Sequence, residues 1–215
     1  ACSKLEKTET KPTLDSFNQW MLNPVPAVSA HRGGPYPGYP ENAIETFEYI
    51  SSQMPTIIEC DVSMTRDSIL VLLHDRSLDR TTTGEGAILE QDYEQIKDLL
   101  LIDNEGDTTS YLIPLLSEVL KWGKGKVLFT LDVKRGVPFE RVLEAIEAED
   151  AADYAAVITY SLDDAELVHH LNEEVILSVS LRGSSAVQEF KKRDIIPNKV
   201  LAFVGTSEPD ASHYQ

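Results

Sequence analysis

The run VLFTLDVKRGVPFERVLEAIEAEDAADYAAVITYSLDDAELVHHLNEEVILSVSL, residues 127–181, alternates short apolar segments with longer amphipathic ones. Val127 to Val133, Ala155 to Tyr160 and Val175 to Leu181 are apolar, rich in β-branched residues and nearly free of charge, which predicts strands buried on both faces. Phe139 to Ala148 and Asp163 to Leu171 repeat apolar residues at three- and four-residue spacing, which predicts helices lying over those strands. Strands alternating with helices build a parallel sheet covered by helices, so the fold class is α/β.

The same reading extends both ways from this core. Downstream it gives a helix over Ser185 to Arg193, a strand over Val200 to Val204 and the first residues of another helix near Asp210. Upstream it gives a helix over Leu115 to Trp122, a strand over Thr56 to Met64 and a short strand over Ala27 to Ala30. Asn42 and Glu45 stand as N-cap and N3 of a capping box, followed by Ile44, Phe47, Ile50 and Met54 on one helical face. Ile69 to Leu73 forms one more strand, joined to Thr56–Met64 by Thr65-Arg66-Asp67-Ser68 alone, a link short enough only for a hairpin. The segment from Asp75 to about Thr109, with Gly84-Glu85-Gly86, reads as an irregular excursion.

Two architectures accommodate this order, a closed (β/α)8 barrel and a doubly wound open sheet. A barrel needs eight strands and usually about 250 residues. The chain has 215 residues, so on this reading it is expected to stop before the last βα units, with residues 210–215 breaking off in a helix's first turn.

Composition narrows the class. At 42% hydrophobic and 26% charged, the chain has the profile of one globular domain, residues 16–215, behind a polar tether, residues 1–15. No stretch approaches the roughly 20 apolar residues that cross a bilayer, and no signal-like segment stands at the start, so any export signal is expected to have been removed or never present. A formal net charge of −17 excludes nucleic acid as the expected partner, since phosphate neutralisation needs clustered Lys and Arg, and it serves solubility. No protein partner is inferred. Cys60 falls inside a buried strand, so no disulfide framework is expected. Cys2, followed by the polar run Ser3 to Lys11, resembles the start of a mature bacterial lipoprotein, which implies a lipid anchor and a place in the periplasm or at the outer surface.

Polar groups cluster at strand ends. In Thr56 to Met64, Ile57, Glu59 and Asp61 share one face, and Ile58, Cys60 and Val62 share the other. Two carboxylates that skip one residue on a strand can grip a hard cation such as Mg²⁺ or Ca²⁺. In Val127 to Lys134 the inner set is Leu128, Thr130, Asp132 and Lys134, so Asp132 is a candidate third ligand and Lys134 a candidate phosphate contact. His31 and His74 each end a strand, and an imidazole pair can serve as general base and general acid near neutral pH. Arg32 adds a planar fork suited to phosphate oxygens. His169 and His170, on a helix, and His213 are expected at the surface.

His31-Arg32-Gly33, Pro40-Glu41-Asn42, Glu59-x-Asp61, His74-Asp75 and Leu78-Asp79-Arg80-Thr81-Thr82-Thr83-Gly84-Glu85-Gly86 occur in an order that resembles the signature of the glycerophosphodiester phosphodiesterase family. Ile113 to Leu120 and Asp132-Val133-Lys134 extend the likeness, which is close over residues 28–135 and is one of pattern beyond them. It implies a TIM barrel with a small insertion after the second strand, about residues 65–110. It also implies a divalent cation on Glu59, Asp61 and Asp132, proton transfer by His31 and His74, and Arg32 and Lys134 near the phosphate, with Glu41, Asn42, Asp75 and Arg80 in support. The implied reaction is metal-dependent hydrolysis of a glycerophosphodiester to glycerol 3-phosphate and an alcohol. Three departures stand out: Asp132 where Glu is common, a longer loop over Gly34 to Tyr39, and Ala43 where Thr is frequent. Two alternatives remain open. One is cleavage of the phospholipase D toxin type, giving a cyclic phosphate, with which Asp132 is compatible. The other is a non-catalytic binding lipoprotein.

Overall fold

The computed structural model describes residues 14–181 and 183–205. Cys2, most of the tether, His213 and the helix expected near Asp210 lie outside the described residues. The chain enters through α1 (Phe17–Leu22), whose N-terminus is capped by the Ser16 side chain. Strand β1 (Val28–Ala30) runs straight into a 3-10 turn over His31–Gly33. Helix α2 (Ile44–Gln53) follows, then the long strand β2 (Thr56–Met64) and β3 (Leu70–Leu72). The next part holds a 3-10 turn at Ile88–Glu90, a single helical turn α3 (Tyr93–Ile96), and the two-stranded sheet of β4 (Leu100–Ile102) and β5 (Thr108–Leu112).

From there the expected alternation sets in. It runs α4 (Leu116–Gly123), β6 (Leu128–Val133), α5 (Phe139–Ala148), β7 (Ala155–Thr159), α6 (Leu162–Leu171), β8 (Ile176–Ser180), α7 (Gly183–Phe190) and β9 (Val200–Phe203).

The main sheet has the order β1-β2-β6-β7-β8-β9, all parallel, with β3 antiparallel on β2. Spatial order follows chain order without a reversal. A doubly wound sheet reverses at a switch point, so this single direction of winding is that of the (β/α)8 barrel. The 65–68 link does make a hairpin: β1 pairs with residues 56–58 of β2, and β3 pairs with residues 62–64.

The alternation in β2 has the predicted consequence. Ile58, Cys60 and Val62 are fully buried beneath the helices and pack with Phe129 and Leu131 of β6 and Leu116 and Leu120 of α4. Phe47 of α2 joins them, its ring centroid 6.3 Å from that of Phe129 in an edge-on arrangement. The part between β2 and α4 carries a smaller core of its own, built on Val71, Leu78, Ile96, Leu101 and Ile113. No helix among the described residues is long and apolar enough to cross a membrane.

Three expectations need correction. The segment 75–109 is not uniformly irregular, because it contains α3, β4 and the start of β5. Asn42 does not cap α2: Ala43 is the N-cap residue, and Asn42 sits before it in a left-handed conformation at φ 59°. His169 is not at the surface. It lies with Ala165 and Val168 on the buried stripe of α6, and its Nε2 accepts a hydrogen bond from the Ile196 N–H at 3.3 Å.

Gly33 fixes how the first strand delivers its turn. Its φ is 83°, and a Cβ built there would lie 2.2 Å from the ring of Phe47. Gly33→Ala combines backbone strain with overpacking and should destabilise the fold by about 2–4 kcal/mol. Urea unfolding midpoints check this, and an unchanged midpoint would refute it.

Candidate active site

The site is assembled where β1, β2, β3 and β6 end. Register pairs Glu59 with Thr130 and Asp61 with Asp132, so the inward carboxylates of β2 and β6 meet side by side. Carboxylate oxygens of Glu59, Asp61 and Asp132 lie within 4.8 Å of one another. Asp61 and Asp132 are 1% and 8% exposed, so their charges cannot be left to water.

Each carboxylate is held by named donors. Glu59 Oε2 accepts the Arg32 backbone N–H at 2.6 Å. That N–H points inward because Arg32 itself is left-handed, φ 52°, an uncommon state for a side chain of this kind. Asn42 clasps Asp61 twice: its Nδ2 donates to Oδ2 at 2.7 Å, and its Oδ1 accepts the Asp61 N–H at 3.0 Å. Lys134 Nζ lies 2.6 Å from Asp61 Oδ1 and donates to Asp132 Oδ2 at 2.7 Å. Burial works against the Lys134 charge, but Asp132 and Asp61 outweigh it and hold the ammonium above its ordinary range.

Burial, reinforced by the charges of Asp61 and Asp132, pushes Glu59 up to about 7, against the opposing pull of the Arg32 N–H. Cys60 is buried behind the carboxylates and its thiol is pushed up for the same reason.

A second chain of charges ties the two histidine-bearing turns together. Glu41, 4% exposed, accepts Arg32 Nη1 at 3.1 Å and both terminal nitrogens of Arg80 at 2.9 and 3.0 Å. Arg80 also forks onto Asp75 at 2.6 and 2.9 Å. Asp75 in turn meets His74 Nδ1 at 2.7 Å. Arg80 foremost, and His74 with it, hold the Asp75 carboxyl well below the usual range. An ionised Asp75 accepts a hydrogen bond from Nδ1–H, which leaves His74 Nε2 as the working nitrogen.

His31 lines a cavity of 680 Å³ together with Glu59, Asp132, Tyr160, Ser178 and Ser180. His74 and Lys134 line a neighbouring one of 620 Å³. The two histidines therefore face different cavities: Glu59 and Asp132 share that of His31, and Lys134 shares that of His74.

Every site residue named from the sequence lies in this region. Arg32 and Lys134, expected near a phosphate, are both drawn onto carboxylates. Arg32 Nε, buried and without a hydrogen-bond partner, lies 3.9 Å from Asp61 Oδ2. Tyr160 was missed. Its ring is exposed at the end of β7, while local burial of the hydroxyl and the charge of Asp132, to which it hydrogen-bonds, push it up to about 12. The signal lay in parity: Ile158 is the register partner of Asp132, so Tyr160, two residues on, faces the same way.

The donor set suits a hard divalent cation. Three carboxylates offer oxygen ligands only, and opposite ligands of an ion with bonds of about 2.4 Å stand about 4.8 Å apart.

The singly wound parallel sheet, with acidic residues and two histidines gathered towards the C-terminal ends of its strands, is the arrangement of a (β/α)8 barrel, which carries its functional groups at that end. The chain belongs to the glycerophosphoryl diester phosphodiesterase family, whose model matches residues 31–193. It is 31% identical over 169 residues to a glycerophosphodiester phosphodiesterase of Bacillus altitudinis, covering 71% of this chain and 65% of that one. A glycerophosphoryl diester phosphodiesterase structure from Parabacteroides distasonis superposes with a TM-score of 0.83 at 34% identity, covering 88% of this chain and 66% of that one. An Oleispira antarctica phosphodiesterase, solved with sn-glycerol-3-phosphate, shares the fold at a TM-score of 0.63 and 21% identity, covering 86% of each chain. The chain spans just under two thirds of the length of the first two relatives.

A carboxyl pushed up to about 7 carries a proton below that pH, and a cation must displace it. Affinity for Mg²⁺ or Ca²⁺ should therefore be about tenfold lower at pH 6 than at pH 8. Calorimetric titration at the two pH values measures it, and equal affinities would contradict the assignment of Glu59 as a ligand.

Proposed function

We propose that this protein hydrolyses glycerophosphodiesters to glycerol 3-phosphate and an alcohol, using a divalent cation held by Glu59, Asp61 and Asp132. The observation that carries this reading is the convergence of those three carboxylates, two of which line a cavity with His31, while Lys134, paired with Asp61 and Asp132, lines one with His74. Family membership supports the reaction class.

When bound, the cation supplies positive charge to the phosphate oxygens as negative charge gathers on them. The remaining work belongs to side chains. Arg32 offers the buried, unpartnered Nε beside Asp61, and Lys134 offers an ammonium that is already charged and aligned with the cluster. His31 takes the proton of the attacking water as its oxygen bonds to phosphorus. His74 gives a proton to the alcohol oxygen as the phosphorus–oxygen bond to it breaks. Asp75 suits His74 to this role, because a carboxylate on Nδ1 fixes the ring and leaves Nε2 as the nitrogen that donates.

Replacing His31 or His74 by Ala should lower turnover of glycerophosphocholine by about 10²–10⁴-fold, the usual contribution of a positioned acid or base. Chelation should abolish turnover in the unmodified protein, and Mg²⁺ or Ca²⁺ should restore it. Full activity of His74→Ala with cation present would remove it from the mechanism.

Phosphorus NMR of the reaction distinguishes water from an internal hydroxyl as the nucleophile. Glycerol 3-phosphate as the first phosphorus product is expected. A cyclic phosphate that accumulates and persists would establish the toxin-type reaction instead, and no turnover on a panel of diesters would leave a binding protein.

A further inference from the structure

The 620 Å³ cavity beyond His74 has a charge pattern that the hydrolysis reading does not use. His74, Lys134, Arg76 and Arg135 all line it, and Ile88 and Val137 supply apolar wall. The chain carries 36 acidic against 19 basic residues, so a guanidinium seldom lacks a carboxylate nearby. Arg32, Arg66, Arg80, Arg141 and Arg193 all pair with one. Arg76 and Arg135 pair with none among the described residues. They come from different elements, one following His74-Asp75 and one following Lys134, yet they reach the same cavity. Asp75, the carboxylate that also lines it, is already taken by His74 and Arg80.

The opposite cavity differs in character. Around His31 it is lined by Glu59 and Asp132, by the hydroxyl-bearing Tyr160, Ser178 and Ser180 and by the apolar Ile158 and Phe203, with no lysine or arginine among its lining residues, so it suits an uncharged end of a substrate rather than an anion. A substrate spanning both cavities would place an uncharged hydroxylated end on the His31 side. Its other end would meet two unneutralised guanidinium forks, which bind phosphate or carboxylate oxygens in pairs.

We propose that Arg76 and Arg135 form a subsite for a second anionic group, carried on the alcohol that leaves past His74. The substrates favoured are then glycerophosphodiesters whose alcohol is itself phosphorylated or carboxylated. The inference rests on the hydrolysis reading for its direction, since His74 as acid places the leaving alcohol in this cavity.

A matched pair of substrates tests it: glycerophosphoinositol and glycerophosphoinositol 4-phosphate, which differ only in the second phosphate. The ratio of kcat/KM values should favour the phosphorylated diester by about tenfold or more, and should collapse towards one in the double variant Arg76→Gln, Arg135→Gln. Because both substrates are measured on each protein, a general loss of folded enzyme cancels from the ratio. An equal ratio in the two proteins overturns the subsite.

If neither diester is turned over, the hydrolysis reading fails, and calorimetry decides the subsite separately. Binding of myo-inositol 4-phosphate but not myo-inositol, lost in the double variant, supports the subsite. Equal behaviour of the two proteins overturns it.

Discussion

Asp61 and Asp132 are partners in the parallel register of β2 and β6, and most of the site answers the repulsion this creates. Two carboxylates nearly out of water, with Glu59 beside them, would drive one another to protonate or drive the strands apart. The chain meets that demand locally. Lys134 follows Asp132 by two residues and so faces the same way, returning its ammonium to both acids. Asn42 satisfies the other oxygen of Asp61, and the Arg32 N–H satisfies Glu59. Where compensation is least complete, at Glu59, the carboxyl retains a proton close to neutrality.

The second organising element is a relay of opposite charges from Arg32 through Glu41, Arg80 and Asp75 to His74. Glu41 is the centre of it, a buried acid held between two guanidinium groups. The Pro40-Glu41-Asn42 turn thus has two duties one residue apart: Glu41 braces the arginines and Asn42 braces Asp61. It is anchored to the His31 turn by the Asn42 N–H, which donates to the Arg32 carbonyl at 3.0 Å. Positive φ at Arg32, Gly33, Gly34 and Asn42 is the backbone cost of folding two polar turns over one strand end.

The alternation is legible in the sequence from residue 116 onward, because the strands there are short runs rich in apolar residues and helices such as α5 carry a clear apolar stripe; Phe139–Ala148 matches residue for residue. The odd-even pattern of β2 was equally plain, since Ile58, Cys60 and Val62 could only be the buried set. Asn42 was misread because N-x-x-E fits a capping box by spacing alone, and nothing local reveals that the amide has a better partner 19 residues on. The β4–β5 pair was missed because Leu99 to Ile102 is apolar without alternation and its partner strand is mostly exposed. His169 looks like a surface residue by its polarity, but it lies four residues after Ala165 and so falls on the same buried stripe of α6. Charge relays such as Glu41 with Arg80 join residues 39 apart, a pairing that becomes visible only once the turns are in space.

Lys134 has one more consequence, and it concerns the order of events in the life of the chain. An acidic cluster that can be neutralised only from outside makes folding wait for an ion. Here a tethered ammonium supplies the counter-charge from within, at two residues' distance along the same strand. The charge balance of the native state therefore does not depend on an ion, and a cation held by Glu59, Asp61 and Asp132 would be taken up by a scaffold already assembled, at a time or in a compartment of its own.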